Sequence, residues 1–204
     1  MTPSNFAVVF ILLLVVTVQG YPNGAPDNAE ICNTLKPKHY QIKGNTSSGL
    51  WEPNLSQPLN YSIHVSRMSV SSGQAVEVLL QADQSYFEGF ILQARSASNT
   101  LDVSKRYGTF KPLDEDAKLI CSGAGITHSK HYKWPNITFS WTAPKDTQDK
   151  IKFIATVVTG YKTYFMNVES DVVELSGSST GDILSSVNIL TFTVLQAFML
   201  TILM

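Results

Sequence analysis

Ser62-Ile63-His64-Val65-Ser66 alternates polar and apolar side chains, and Ile137, Phe139 and Trp141 alternate with Thr138 and Ser140. A strand turns successive side chains to opposite faces, so this period of two predicts strands with one buried face. Ala75–Ala82 (AVEVLLQA), Tyr86–Arg95 (YFEGFILQAR) and Ile151–Thr159 (IKFIATVVT) are longer apolar runs that also read as strands. Lys118–Cys121, Tyr164–Val168 and Asp171–Leu175 complete the set, with breakers at Ser72-Gly73, Ala143-Pro144 and Gly160. No helical period and no internal repeat stands out. Short strands, polar turns and no interleaved helices predict an all-β, antiparallel β-sandwich. Tyr21–Trp51 is different: rich in Pro, Gly and Asn and without a period, it predicts an irregular strap, tied down by Cys32, Leu35 and Tyr40.

The two ends carry a different pattern. Residues 1–20 contain no charged side chain, and the apolar run Phe6–Val18 is followed by Val18-Gln19-Gly20. The run falls short of the roughly 20 apolar residues of a membrane span. It predicts a cleaved signal peptide ending before Tyr21. Val187–Met204 is apolar and uncharged, with no basic flank after it. Small residues precede it at Ser176-Gly177-Ser178-Ser179-Thr180-Gly181, then a short polar spacer. That order is the signature of a GPI-attachment signal, with Ser176 as the expected attachment residue and 177–204 as the removed segment. A retained membrane helix is the alternative. The expected domain is 21–176, attached to the membrane through a lipid.

Charge then removes partners from consideration. The chain has 15 Lys and Arg against 16 Asp and Glu, and the tail contributes only Asp182. A balanced domain gives no electrostatic reason to bind nucleic acid or anionic lipid. Two cysteines in a secreted chain predict a single bridge, Cys32–Cys121. Four Asn-x-Ser/Thr sequons, at Asn45, Asn54, Asn60 and Asn136, predict N-glycosylation and mark exposed positions.

The stretch Thr127–Trp141 (THSKHYKWPNITFSW) is the densest in candidate chemistry. His128 and His131 could share a metal, but such sites need three or four converging ligands, and His39, His64, Asp114, Glu115 and Asp116 are remote in sequence. A hydrolytic Ser129–His128–Asp114 set has no Gly-x-Ser-x-Gly elbow behind it. No catalytic residue, metal or cofactor is therefore expected. His128 reads as a structural histidine that fastens a loop by bonding backbone. Thr127–Pro135 reads as a turn region, and Trp134 and Trp141 as packing residues. Arg95 reads as a strand-end arginine, snorkelling to solvent or pairing with a carboxylate. Tyr161-Lys162-Thr163-Tyr164 reads as a loop at one end of the sandwich, where such domains bind partners.

The opening YPNGAPDNAEICNTLKPKH, with its Gly-Ala-Pro, Cys and Pro-x-His, resembles the start of the reeler (reelin amino-terminal) domain. The resemblance continues through Gly73–Val78, Phe87–Arg95, Gly108–Phe110 and Leu119–Cys121. It then takes in Thr127–Ser129, Phe139–Pro144 and Phe153–Val158. It implies an immunoglobulin-like antiparallel β-sandwich with one disulfide joining the positions of Cys32 and Cys121. The stand-alone members implied are secreted defence proteins of innate immunity. Other members join this domain to DOMON and cytochrome b561 modules in ferric-chelate reductase-like proteins, and this sequence contains neither module. The expected function is non-enzymatic recognition of a microbial or host surface ligand, glycan or protein. The alternatives are a secreted antimicrobial effector and an accessory domain beside metal or ferric reductase chemistry. The family supplies no catalytic or ligand residues to carry over.

Overall fold

A computed structural model describes residues 21–177 apart from 44–45, 55–59 and 103. The signal-peptide reading, the sequon at Asn45 and the tail beyond Gly177 lie outside the described residues. The elements are α1 (Ala29–Thr34), β1 (Tyr40–Lys43), β2 (Thr46–Leu50), β3 (Tyr61–Val65), β4 (Ser69–Ser71), β5 (Ala75–Ala82) and β6 (Gly89–Ser96). After these come β7 (Thr109–Pro112), β8 (Ala117–Ile120), β9 (Gly125–His128), β10 (Asn136–Thr142), β11 (Asp149–Gly160), β12 (Thr163–Glu169) and β13 (Val173–Ser176). None of the helices among the described residues is long and apolar enough to cross a membrane.

Two sheets face each other. One runs β3-β5-β10-β7; the other runs β4-β13-β11-β6-β9-β8, with β12 also paired to β11. The pairs are antiparallel except β13 with β4, which is parallel. The small β1–β2 hairpin stands apart. The fold is the expected all-β sandwich, and its core follows the period-two pattern. Val76, Val78, Leu80 and Ala82 of β5 meet Ile137, Phe139 and Trp141 of β10. Facing them are Phe90, Leu92 and Ala94 of β6 with Ile151, Phe153, Ala155 and Val157 of β11. Trp141 meets Phe153 edge-on at 5.1 Å between ring centroids and donates its indole N–H to the Tyr107 carbonyl at 3.0 Å. Gly108 makes this approach possible. Its φ is +62°, and a β-carbon there would lie 2.3 Å from the Thr142 carbonyl oxygen and 2.5 Å from the Trp141 ring.

The strand β6 breaks the alternation, since all eight of its residues are buried. The reason is a third layer. The strap beginning at Tyr21 folds over the outer face of the larger sheet, so Ile91 packs under Ile31 and Leu35 together with Ile120 and Ile154. The strap contains the helix α1, which the sequence pattern did not reveal. Asn28 caps it by accepting the Ile31 N–H at 3.0 Å, and Leu35 ends it in the left-handed region at φ 55°. Six residues are too few to stay helical alone, so this helix depends on what it packs against.

Two further expectations need correction. Tyr86–Glu88 are not strand; β6 starts at Gly89, and Phe87 makes only an isolated bridge to Trp134. Thr127 and His128 are not turn residues but the end of β9, paired to Ile91 of β6 and to Lys118 and Ala117 of β8. All four residues of β9 are buried, so no alternation advertises it.

Candidate functional site

Between the strap and the outer face of the larger sheet lies a cleft of about 930 Å³. Its floor comes from β6, β8, β9 and β11, and its roof from residues 21–27, α1 and Pro37–His39. Four sets of contacts hold the roof in place.

The first is the disulfide Cys32–Cys121, which ties α1 to the residue after β8. Asp27 supports it by accepting the Cys121 N–H at 2.8 Å. The second is a buried cation. Arg95 is 3 % exposed, and its guanidinium donates to the carbonyls of Cys32 (3.1 Å), Asn33 (2.8 Å) and Thr100 (3.1 Å) and to Gln93 Oε1. Gln93 Nε2 and Arg106 Nε also donate to the Cys32 carbonyl, and Arg106 bonds the Asn33 side chain. Arg95 therefore neither reaches solvent nor pairs with a carboxylate. The strap covers this end of β6 and offers carbonyls instead. Burial, and after it the neighbouring Arg106, push its pKa down.

The third set sits at the end of β9. Thr127 Oγ1 donates to the Phe90 carbonyl and accepts the Ala25 N–H at 3.1 Å. With its proton on Nε2, His128 donates to the Tyr21 carbonyl at 3.1 Å and accepts the Phe90 N–H on Nδ1 at 3.3 Å. Gly24 lets the strap come this close: its φ is +93°, and a β-carbon would fall 2.0 Å from the His128 carbonyl oxygen. The fourth set closes the other end. His39 stacks on Tyr161 at 5.0 Å, Tyr161 donates to the Tyr40 carbonyl at 2.8 Å, and Tyr164 donates to the Trp51 carbonyl at 2.7 Å.

The structural reading of His128 follows from these bonds, since both ring nitrogens are engaged by backbone. His131 is exposed at the rim of the cleft. Among the described residues, the one group of acids, histidines and cysteines close enough to share a metal is Asp27, Cys32 and Cys121, and its two cysteines are joined to each other. The Ser129 hydroxyl donates to the Glu115 carbonyl, away from His128. Trp134 and Trp141 are buried, while Tyr132 is exposed. Tyr161 lines the cleft, so the turn after β11 does meet the site. Thr156 and Gln93, both facing the strap, carried no signal beyond being polar within apolar runs. Asn54, Asn60 and Asn136 are exposed, and Ser176 is the exposed last residue of β13.

Burial lowers the pKa of both His39 and His128 below 6.5, with backbone hydrogen bonds opposing it. As pH falls through 6.5 the unfolded chain takes up protons at these positions while the folded chain does not, so stability declines with acid. Urea unfolding at a series of pH values is expected to show stability level above about pH 7 and declining as the pH drops through 6.5. A His128→Gln variant is expected to flatten that slope; an equal slope in both proteins would contradict it.

The family model described as Reeler domain matches residues 30–180. "Putative defense protein Hdd11" of Hyphantria cunea is 31% identical over 175 residues, covering 82% of this chain and 96% of that protein. "Ferric-chelate reductase 1" of Mus musculus is 31% identical over 174 residues, covering 83% of this chain. The chain spans only about a quarter of the length of the ferric-chelate reductases it matches, 26% in the mouse protein and 27% in a Xenopus laevis one. The solved reeler domain of human F-spondin superposes with a TM-score of 0.51 at 21% identity, covering 57% of this chain and 89% of that one, which speaks to the fold. The motifs from Pro-x-His to Phe153–Val158 thus fall inside one matched region, and the chain belongs to the Reeler domain family.

Proposed function

We propose that this protein is a non-enzymatic extracellular recognition protein with a role in innate defence, and that the cleft beneath the strap is where it binds. The observation that carries this reading is the match to a defence protein of Hyphantria cunea, which covers 96% of that protein and 82% of this chain. A long-range disulfide suits an oxidising, extracellular compartment. Exposed Asn54, Asn60 and Asn136 suit glycosylation on the outside of the cell. Recognition is non-covalent: the hydroxyl of Ser129 and the imidazole of His128 are both engaged by backbone groups.

In this reading residues 1–20 direct secretion, and the mature chain is joined through Ser176 to a GPI anchor. The ligand is a microbial or host surface molecule. An accessory role beside ferric reductase chemistry is the second reading, favoured by the likeness to one segment of those reductases. The expected result for the anchor is release of the protein from expressing cells by phosphatidylinositol-specific phospholipase C. Retention on the membrane after that treatment would contradict the anchor.

A further inference from the structure

Asp27, Cys32 and Cys121 each present a ligand atom within 4.8 Å of the other two. Asp27 is exposed, Cys32 is buried on α1, and Cys121 is partly buried after β8. A thiolate, not a disulfide, is the metal ligand, so the bridged protein cannot use the three atoms together.

The spacing around the bridge is that of a tetrahedral site. An oxygen and a sulfur on one tetrahedral zinc ion, at about 2.1 and 2.3 Å from it, lie about 3.6 Å apart. Asp27 Oδ1 lies 3.7 Å from Cys32 Sγ. The bridged sulfur carries no proton to donate, so this approach is not a hydrogen bond; the carboxylate is held in place by the Cys121 N–H at 2.8 Å. Two sulfurs on such an ion lie about 3.8 Å apart, and the α-carbons of Cys32 and Cys121 are 5.6 Å apart. The groups behind the sulfurs suit thiolates. Gln93 is fully buried, and its Nε2 donates to Cys121 Sγ at 3.2 Å as well as to the Cys32 carbonyl. Arg95 fixes that amide by donating to Gln93 Oε1 at 3.0 Å. A disulfide sulfur is a weak acceptor, whereas an ionised sulfur takes such a bond strongly. A fixed donor behind a ligand orients it toward a metal.

We propose that reduction of Cys32–Cys121 turns this corner into a site for a thiophilic divalent cation, zinc in particular. Two thiolates and the Asp27 carboxylate are its ligands, with water in the fourth position. A dithiol is the reductant: its two thiols close to a disulfide while the S–S bond takes up two electrons and two protons. Zinc then displaces both thiol protons. The ion ties α1 to the end of β8 in place of the covalent bond, so the roof of the cleft stays fastened in the reduced protein.

The test reduces the full chain with dithiothreitol, removes the reagent by gel filtration under argon, and adds zinc chloride. Zinc is expected to raise the melting temperature of the reduced protein, or to refold it if reduction alone unfolds it, and to leave the oxidised protein unchanged. Cadmium chloride is expected to give thiolate charge-transfer absorption in the ultraviolet, and Asp27→Ala to weaken that binding by about tenfold or more. The Cys32→Ala/Cys121→Ala protein is expected to show neither effect. Thiols on an unfolded chain have no use for Asp27, so equal cadmium affinity in wild type and Asp27→Ala would overturn the proposal. A reduced wild type that zinc neither stabilises nor refolds would overturn it too, as would an equal zinc shift in the oxidised or the double-alanine protein.

Discussion

Replacing Cys32 and Cys121 together with alanine is expected to lower the free energy of unfolding by about 4 kcal/mol. The two residues are 89 positions apart, so the bridge removes a large loop-closure entropy from the unfolded chain. A second effect is local. The helix α1 has only six residues and buries only Ile31 and Cys32, so once released it has little reason to remain helical. Ile91, Ile120 and Ile154 on the outer face would then lose their cover. Guanidinium denaturation followed by tryptophan fluorescence measures the first effect, and amide exchange in 29–35 measures the second. A loss below about 1 kcal/mol would show that the strap holds without the bridge.

Arg95→Met is expected to cost about 3 kcal/mol, since hydrogen bonds from a charged group are among the stronger ones. Gln93 Oε1, on a fully buried residue, would lose this donor, as would the half-buried carbonyls of Asn33 and Thr100. The Cys32 carbonyl would keep Gln93 and Arg106. Arg95→Lys is expected to rescue little, because one ammonium cannot reproduce a fork that reaches three carbonyls. The same denaturation experiment reads both variants. A near-wild-type Arg95→Met protein would mean that the buried cation adds no net stability.

The core was legible because its strands have one dry face. Val76–Ala82 and Ile137–Trp141 alternate, and the structure pairs them residue for residue. Where both faces are covered the signal vanished. Neither β6 nor β9 alternates, so the apolar pattern starts at Tyr86, three residues before β6, and gives no strand signal at Thr127-His128. The helix α1 was invisible because a turn and a half supplies only Ile31 and Leu35 as a periodic pair. The composition of the strap marks it as a tied-down segment but does not say which sheet it lies on. That placement is why the sequence gives no sign of the buried state of Arg95, which bonds strap carbonyls more than sixty residues away as well as Gln93 and Thr100. Most of the cleft was hidden for the same reason. His39 and Thr156 are 117 residues apart, and only the closure of the strap over β11 brings them to one site.

The central claim is that the strap and the sheet together form the recognition site. Val158 lies half-buried on the cleft floor, so Val158→Trp fills the cleft without entering the sandwich core. The direct measurement is binding of wild-type and Val158→Trp protein to an array of microbial-surface glycans, lipids and proteins, with thermal melts confirming that both are folded. Specific binding by the wild type that the tryptophan variant loses is the predicted result. No binding by the wild type, or undiminished binding by the folded variant, would contradict it.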